Sequence, residues 1–383
     1  MRRVAVVTGT RAEYGLLRRT MRQISASEQL SLSTIVTGMH LSPQHGRTVT
    51  EIRDDGFSIS QTVRMLLDDD STSGMAKSFG VGVSGFSQAF DAVGPDFLLV
   101  LGDRIEAFAA TVAAAMMNVP VGHIAGGSIR GGGMIDESIR HSMTRFAHLH
   151  FVQSERAAET LRAVGEHPKR IHTVGAPALD EITDESFADG ETVVKSLDLS
   201  PAEPVVLVLQ HPVTTKPDEA GAQMHETLSA AESAGYQTIV IHPNSDPGRS
   251  QIVSEIRQYC DRNNNFVDVP TLSREKYLGL LAFADALVGN SSSGIVEAPC
   301  LGIPVIDVGP RQGDRDRADI VTQVPYDKRE IERVLMEVVC DSKRQNVDPT
   351  RSPYYHGGAS KNIVDVIKRL DEYSDLLEKR VHV

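Results

Sequence analysis

Short apolar segments alternate with longer segments of helical length along almost the whole chain. In the first half, strand-like runs such as VAVVTG, DFLLVLG and PVGHIAG are apolar at consecutive positions. A strand that is buried on both faces shows this pattern, and parallel strands are usually joined by helices. The pattern therefore predicts a parallel sheet that is covered by helices on both faces. These helices are expected at 11–26, 73–93, 104–117, 136–147 and 154–164.

The same rhythm restarts after an acidic, polar stretch. Runs such as VVLVLQ, QTIVIHPN and DALVGN predict a second sheet, and residues 180–203 before them suit an interdomain linker. A chain of 383 residues is also long for a single hydrophobic core. We therefore predict two Rossmann-like, doubly wound α/β domains that face a cleft. They are an N-terminal domain over 1–180 and a C-terminal domain over 200–356, with a last helix in 357–383 that packs on either one.

Composition narrows the class of protein further. The formal net charge of −12 argues against a nucleic-acid partner, which would need a basic face, but still permits a locally positive site for a small anion. The three cysteines are far apart and form no CxxC pair, which indicates reduced thiols. The first apolar run is too short for a signal peptide, and no run reaches the roughly 18 residues of a membrane span. We expect a cytoplasmic protein without a membrane partner.

Polar and charged residues follow directly after the predicted strands, at the edge where open α/β sheets bind ligands. The strongest pattern is GNSSSG at 289–294, where hydroxyls at a predicted helix start favour phosphate binding, although ordinary serine capping would explain one of them. Arg11 follows the first strand and suits a bidentate phosphate contact. Asp103 and Arg104 form either a structural ion pair or part of a reactive site. These residues predict a protein that binds a phosphorylated, nucleotide-linked small molecule.

Two further patterns are set aside. The sequence GVGVSG at 80–85 has the form GxGxxG, but it follows a polar segment and leads into a helical one, so it does not fit a dinucleotide-binding loop. His148 and His150 would share one face of a strand, but no third metal ligand is near them in the sequence. We therefore predict no metal site.

Several motifs, in order over nearly the whole chain, resemble those of the hydrolysing UDP-N-acetylglucosamine 2-epimerases, the enzymes that feed sialic acid and legionaminic acid synthesis. They are TGTRAEYG, LGDRIEAF, IDESIRH, QHPVTT and GNSSSGIVEAPCLGIPVIDVGPRQGDR. The resemblance implies a GT-B-like fold, a UDP-sugar substrate, no cofactor, and a homodimer or homotetramer. It also implies that a base removes the C2 proton as UDP leaves C1. Water then adds to the resulting 2-acetamidoglycal, which yields the free manno-configured sugar.

The resemblance further implies which residues form the site. The catalytic set is Asp103, Asp136, Glu137 and His211. The substrate-binding set is Arg11, Arg104, His123, Arg140, His141, Asn244, Ser291, Ser292, Gly294, Glu297 and Arg311. Within these sets, the diphosphate is assigned to Ser291, Ser292 and Arg11, the ribose to Glu297, and the uracil to the loop 270–278. Arg140 and His141 are expected to orient Asp136.

One departure from the family pattern concerns an acid. Relatives carry a Glu or Asp where this chain has Ala125 or Ser128. Either Glu137 or Asp103 takes that role, or the substrate differs, or full turnover has been lost. The glycine-rich segment 126–133 is predicted to be a flap that closes over the sugar and delivers Asp136.

The substrate and the reaction leave alternatives. The substrate is either UDP-N-acetylglucosamine or its 2,4-diacetamido-2,4,6-trideoxy relative. The competing functions are a non-hydrolysing 2-epimerase, a GT-B glycosyltransferase, and a UDP-sugar-binding protein without turnover.

Overall fold

The computed structural model describes residues 1–69, 71–129, 135–184, 187–340, 347–370 and 373–382. The chain divides into two compact units. The first combines Met1–Ile129, Ile135–Asp180 and Pro353–Val383, and the second contains Glu181–Ser352.

The first unit is built on one parallel sheet. Its described strands are β1 (Arg2–Thr8), β2 (Leu30–Thr37), β3 (Ile59–Val63), β4 (Phe97–Leu101), β5 (Val121–Ile124), β6 (Leu149–Val152) and β7 (Ile171–Thr173). They lie in the order β3-β2-β1-β4-β5-β6-β7. Along β1, Val4 and Val6 enter the core on one face of the sheet, while Ala5 and Val7 enter the core on the other. This two-sided burial explains the consecutive apolar residues of the central strands.

Helices cover both faces of this sheet. They are α1 (Arg11–Ser25), α2 (Val49–Asp54), α3 (Thr72–Val93), α4 (Ile105–Met116), α5 (Ile135–Phe146) and α6 (Glu155–Ala163). The next helix, α7 (Ala178–Thr183), spans the chain boundary between the units, which lies after Asp180. The hydroxyl of Thr10 caps α1 by accepting a hydrogen bond from the Glu13 amide, and Gly94 ends α3 in the left-handed conformation. The sequence GVGVSG lies inside α3, which confirms that it is helical and not a phosphate-binding loop.

The second unit repeats the architecture. Its described strands are β8 (Val205–Leu209), β9 (Gln237–Ile241), β10 (Phe266–Val269), β11 (Ala286–Gly289), β12 (Val305–Val308) and β13 (Val321–Val324). They are parallel, in the order β10-β9-β8-β11-β12-β13. The helices are α8 (Gly190–Lys195), α9 (Ala220–Ala234), α10 (Arg249–Arg262), α11 (Arg274–Phe283), α12 (Ser293–Val296) and α13 (Lys328–Cys340).

The predicted fold class, two doubly wound parallel α/β domains, is confirmed. One detail differs from the expected organisation, and one alternative that the sequence left open is resolved. Part of the proposed linker folds as α8, whose Val193 and Val194 are buried in the core of the second unit. The last helix, α14 (Ala359–Arg369), belongs to the first unit, where Ile363 and Ile367 join the same core as Leu17 of α1. Its buried stripe of apolar residues decides this position.

Candidate active site

Each sheet reverses its strand order once, and this is where open α/β sheets bind ligands. In the first unit the reversal lies between β1 and β4, and in the second it lies between β8 and β11. The loops that leave these four strands carry many of the predicted site residues. They are Arg11, Asp103, Arg104, His211, Ser291 and Ser292. This placement depends on the order of the strands in each sheet, which the sequence motifs alone do not show.

Arg140 connects two of the predicted catalytic acids. This residue of α5 is fully buried, and its guanidinium forms ion pairs with Asp103 and Glu137 and donates to the Ser128 carbonyl at 2.7 Å. Burial by itself lowers the pKa of Arg140, but the two carboxylates outweigh burial and the pKa is raised. Glu137 is also bonded to His141 Nε2 at 3.0 Å. The predicted partner of Arg140 and His141 was Asp136, whereas the structure places Glu137 between them.

Asp136 is half-buried in the first turn of α5, one position after the helix begins. The flap predicted just before it is only partly described, because 130–134 lie outside the described residues. In the described part, Gly127 has φ +75°, and a Cβ there would come within 2.4 Å of the Ala157 carbonyl oxygen. Gly127 is therefore required for close packing against α6.

Asp103 and Arg104 take part in separate ion pairs. Arg104 binds both carboxylate oxygens of Glu106, through Nε at 3.2 Å and Nη2 at 3.3 Å, while Asp103 pairs with Arg140. Arg11 opens α1 and is half-buried, and burial lowers its pKa to about 10. Arg11 therefore still carries its charge near pH 7, as a diphosphate contact requires.

The neighbouring Glu13 is a buried carboxyl that the sequence analysis missed. Its Oε2 accepts a hydrogen bond from the Gly9 amide at 2.6 Å, and its Oε1 is buried without a hydrogen-bond partner among the described residues. Burial raises the pKa of Glu13 to about 8, with Glu106 adding to the rise. This carboxyl is therefore largely protonated at neutral pH.

His123 lies in the middle of β5 and has no exposed surface. Its Nε2 is 2.6 Å from the Gly102 carbonyl oxygen, and burial lowers the pKa of the ring to about 4. The neutral ring supports the turn that presents Asp103. The structure therefore indicates support of this turn and does not expose His123 for the substrate contact predicted from the sequence.

In the second unit, Asn290 joins the ends of two strands. The His211 amide donates to Asn290 Oδ1 at 2.7 Å, and Asn290 Nδ2 donates to the His211 carbonyl at 2.9 Å. The Asn290 carbonyl in turn accepts from Arg311 Nη1 at 3.1 Å and from Gln312 Nε2 at 2.9 Å. Asn290 and Gln312 were absent from the predicted site. The signal for Asn290 was its position directly after an apolar strand.

The three serines at 291–293 have different surroundings. Ser291 and Ser292 are half-buried, while the Ser293 hydroxyl is bonded inward to the hydroxyl of Tyr277. The helix predicted to begin at the serines is present but short: α12 has four residues and leads into a 3₁₀ turn at Ala298–Leu301. Its dipole adds little, and any phosphate contact would come from local hydroxyl and amide groups.

The remaining predicted site residues are Gly294, Asn244 and Glu297. A Cβ at Gly294 would lie 2.8 Å from Val305 Cγ1, so Gly294 allows α12 to pack on β12. Asn244 is half-buried in the loop after β9. Glu297 is buried and forms an ion pair with Arg274. The segment 270–278, predicted to be a loop that contacts uracil, is helical from Arg274 onward, where α11 begins.

The paired histidines 148 and 150 have protein partners. His148 Nδ1 accepts a hydrogen bond from the Val121 amide at 3.1 Å, and His150 Nε2 is 3.0 Å from Glu166 Oε2. Within the described parts of the chain, no group of three or more His, Cys, Asp or Glu side chains is arranged to hold a metal ion. In the same parts, no helix combines the length and apolar character of a membrane span.

Comparison with known proteins identifies the family. The sequence profile described as UDP-N-acetylglucosamine 2-epimerase matches residues 22–368. The chain belongs to the UDP-N-acetylglucosamine 2-epimerase family. Its resemblance to the hydrolysing members is also confirmed: the chain is 35% identical over 383 residues to a UDP-N,N'-diacetylbacillosamine 2-epimerase (hydrolyzing) of Legionella pneumophila, covering 99% of each. It is 32% identical to a UDP-N-acetylglucosamine 2-epimerase of Neisseria meningitidis, covering 99% of this chain and 98% of that one.

Solved structures agree with this family fold. The S. aureus MnaA structure with UDP matches with a TM-score of 0.79 and 18% identity, covering 100% of both chains. The Neisseria meningitidis UDP-GlcNAc 2-epimerase bound to UDP-GlcNAc matches with a TM-score of 0.76 and 18% identity, covering 96% of this chain and 100% of that one. At such identities the agreement shows that the 2-epimerase family fold is shared.

Proposed function

We propose that this 2-epimerase is hydrolysing: it converts a UDP-2-acetamido sugar into UDP and the free manno-configured sugar. The main support is the similarity to the Legionella pneumophila hydrolysing relative, which extends over 99% of both chains. The similarity covers both places where a sheet reverses its strand order. The residues in the loops at these places can therefore be compared with those of the relative, position by position.

The first unit supplies the candidate acids and bases. A carboxylate among Asp103, Asp136 and Glu137 removes the C2 proton while the bond from C1 to the UDP oxygen breaks, which forms the C1=C2 double bond of the 2-acetamidoglycal. Water then adds its hydroxyl to C1, and a proton returns to C2 from the opposite face. Carboxylates fixed by a buried arginine suit these steps, because proton transfer needs a defined geometry before it needs a tuned pKa.

The departing UDP needs positive charge and hydrogen-bond donors. We assign its diphosphate to Arg11, Ser291 and Ser292, further contacts with UDP to Arg104 and Arg311, and the place beside the leaving oxygen to His211. Donors that are already oriented stabilise charge as it develops on a leaving group, at little cost in reorganisation. Asn244 and Glu297 complete the assigned nucleotide contacts.

Glu137 is the preferred replacement for the acid absent at Ala125 and Ser128. It lies on the same helix as Asp136, and its carboxylate contacts both Arg140 and His141. Asp103, the other candidate, shares Arg140. The arginine thus binds both candidates and gives each a fixed position.

The sugar itself is either UDP-N-acetylglucosamine or the 2,4-diacetamido-2,4,6-trideoxy compound. Similarity does not separate them, because relatives named for each kind of substrate match at 32% and 35% identity. The assembly as a homodimer or homotetramer remains a prediction from the resemblance, and the cytoplasmic location remains a prediction from composition.

The test is to incubate the full chain with each sugar nucleotide and to follow UDP and the free sugar. We expect equal amounts of UDP and free manno-configured sugar from one substrate, and incorporation of deuterium at C2 in D₂O. A UDP-linked epimer would show the non-hydrolysing reaction, and UDP release that needs an acceptor would show a glycosyltransferase. Tight UDP binding without product from either sugar would show a binding protein, so each of these three results contradicts the proposal.

A further inference from the structure

A buried triad of charges lies beside the carboxylate assigned to the ribose. Arg274, the first residue of α11, is 7% exposed, and its Nε donates to Glu181 Oε2 at 3.0 Å. Its Nη1 forms an ion pair with Glu297. Both carboxylates are buried, at 2% exposure for Glu181 and 6% for Glu297. All three residues belong to the second unit.

A buried triad of charges is not expected to add much to the stability of the fold by itself. Removing each charge from water costs several kcal/mol, and an apolar cluster of the same volume is often at least as stable. Burial by itself lowers the pKa of Arg274, but Glu297 and Glu181 outweigh burial and the pKa is raised, so the guanidinium stays charged. One cation between two anions leaves a net negative charge, which favours hydroxyl donors near the carboxylates.

The planar guanidinium of arginine is well suited to fixing the position of a carboxylate. A guanidinium is planar and presents its donors in a fixed fork, whereas a lysine ammonium is a point charge that fixes no plane. With Nε held by Glu181, the plane of Arg274 is defined, and Nη1 then defines the position of Glu297. A carboxylate accepts up to about four hydrogen bonds, so Glu297 keeps acceptor capacity for a ligand.

The same turn of α11 also supports the serine loop. Tyr277 is three residues after Arg274, on the same helix face, and its hydroxyl is bonded to Ser293. One turn of α11 therefore holds both the assigned ribose carboxylate and the base of the assigned diphosphate loop.

We propose that Arg274 is a positioning residue that fixes Glu297 for the ribose hydroxyls of UDP, and that Glu181 fixes Arg274. This inference rests on the proposed function, because it takes Glu297 as the ribose ligand. It assigns a positioning role to two residues, Arg274 and Glu181, that the sequence analysis did not name individually. The expected consequence is selectivity for the ribose hydroxyls, beyond general support of the fold.

The experiment compares the binding of UDP and 2′,3′-dideoxy-UDP to the full chain by calorimetry. The wild-type chain should bind UDP more tightly than the dideoxy compound. Arg274→Lys and Glu181→Gln should each weaken UDP binding roughly tenfold, as expected for a hydrogen bond to a charged group, while changing dideoxy-UDP binding less than about twofold. Adding Arg274→Lys to Glu297→Gln should cause no further loss. Arg262→Lys, which changes an exposed pair with Glu232, is the matched control.

The results separate this inference from the proposed function. Equal losses for UDP and dideoxy-UDP would show a general structural role and overturn the inference. A wild-type chain without preference for UDP would also overturn it, while normal sugar turnover would leave the proposed function intact. If Arg274→Lys does not fold, Glu181→Gln decides, because it keeps the size of the side chain. A wild-type chain that binds no UDP contradicts both proposals.

Discussion

His211 and Asn290 exchange two hydrogen bonds between the ends of neighbouring strands, at 2.7 and 2.9 Å. Asn290 is fully buried, and the next two residues along the chain are Ser291 and Ser292. The amide side chain therefore sets the backbone of His211 relative to the serine loop. If His211 acts on the departing phosphate, these two hydrogen bonds help to set its distance from the diphosphate.

We expect Asn290→Ala to lower kcat by about 100-fold, because misplacement of a reacting group by about 1 Å costs that much. UDP affinity should fall less, since the serine hydroxyls remain. The measurement is steady-state turnover together with UDP binding by calorimetry. Asn264→Ala, which changes an exposed asparagine in the same unit, is the control. An unchanged kcat for Asn290→Ala would show that His211 is held by other contacts or is not used.

The proposal that Glu137 replaces the absent acid can be tested by removing the acid at position 137 and introducing one at position 125. Glu137→Gln keeps the size of the side chain and should lower kcat by roughly 10²–10⁴, the usual contribution of a general acid or base. Introducing Ala125→Glu into that variant should restore part of the turnover, because it places an acid where relatives carry one. Ala125→Gln in the same background is the matched control. Full turnover of Glu137→Gln would assign the role to Asp103 instead.

The sequence predicted the buried strands and, from the runs IHTVG and NFVDVP, the two edge strands β7 and β10. Both β3 and β13, which were not predicted, lie at sheet edges and carry polar residues, as in the segment ISQTV of β3. An edge strand has only one neighbouring strand and is less covered, so its apolar pattern is weak. The loops after the central strands were predicted because an apolar run followed by polar residues marks them directly.

The candidate site also contains features that the sequence predicted and features that it missed. Positions such as Asp103 and His211 follow from strand ends, but the pairing of Arg140 with both Asp103 and Glu137 depends on how α5 packs against the sheet. Sequence spacing puts Glu137 one helical turn before Arg140, but it cannot show that Asp103, 37 residues away, reaches the same guanidinium. The burial of His123 was missed for the same reason.

Glu13 predicts a specific dependence of stability on pH. Its pKa is about 8 in the folded chain and 4.5 as an ordinary value, so between these pH values the folded state keeps a proton that the unfolded chain releases. The contribution of Glu13 to the free energy of unfolding therefore falls as pH rises from about 4.5 to about 8. Glu13→Gln lacks this titration, so it should become increasingly stable relative to wild type toward pH 8.

Urea unfolding at pH 5, 6.5 and 8 measures this difference. Glu28→Gln changes an exposed glutamate in the same unit and should follow wild type at all three values. If the wild-type and Glu13→Gln stabilities run parallel across this range, Glu13 is not a protonated carboxyl in the folded state.

Lys379 secures the end of the helix that carries the candidate acids. Its Nζ donates to the carbonyls of Thr144 at 2.7 Å and Ala147 at 2.6 Å, and it lies 2.9 Å from Glu166 Oε2. Carbonyls at a helix C-terminus lack partners within the helix, and a cation there is favourable. We expect Lys379→Met to lower the free energy of unfolding by about 1–3 kcal/mol, because it leaves these acceptors unsatisfied.

The loss should concentrate in α5. Hydrogen exchange should show faster exchange of amides near the end of α5 in Lys379→Met, while amides of β8 and β9 keep their wild-type rates. Turnover should fall more than UDP affinity, because α5 carries Asp136 and Glu137 and the assigned diphosphate contacts lie elsewhere. Lys361→Met removes an exposed lysine that pairs with Asp365 on α14, and it should leave both measurements unchanged. Wild-type exchange rates in α5 of Lys379→Met would mean that the helix end is held by its packing on the sheet, without help from the lysine.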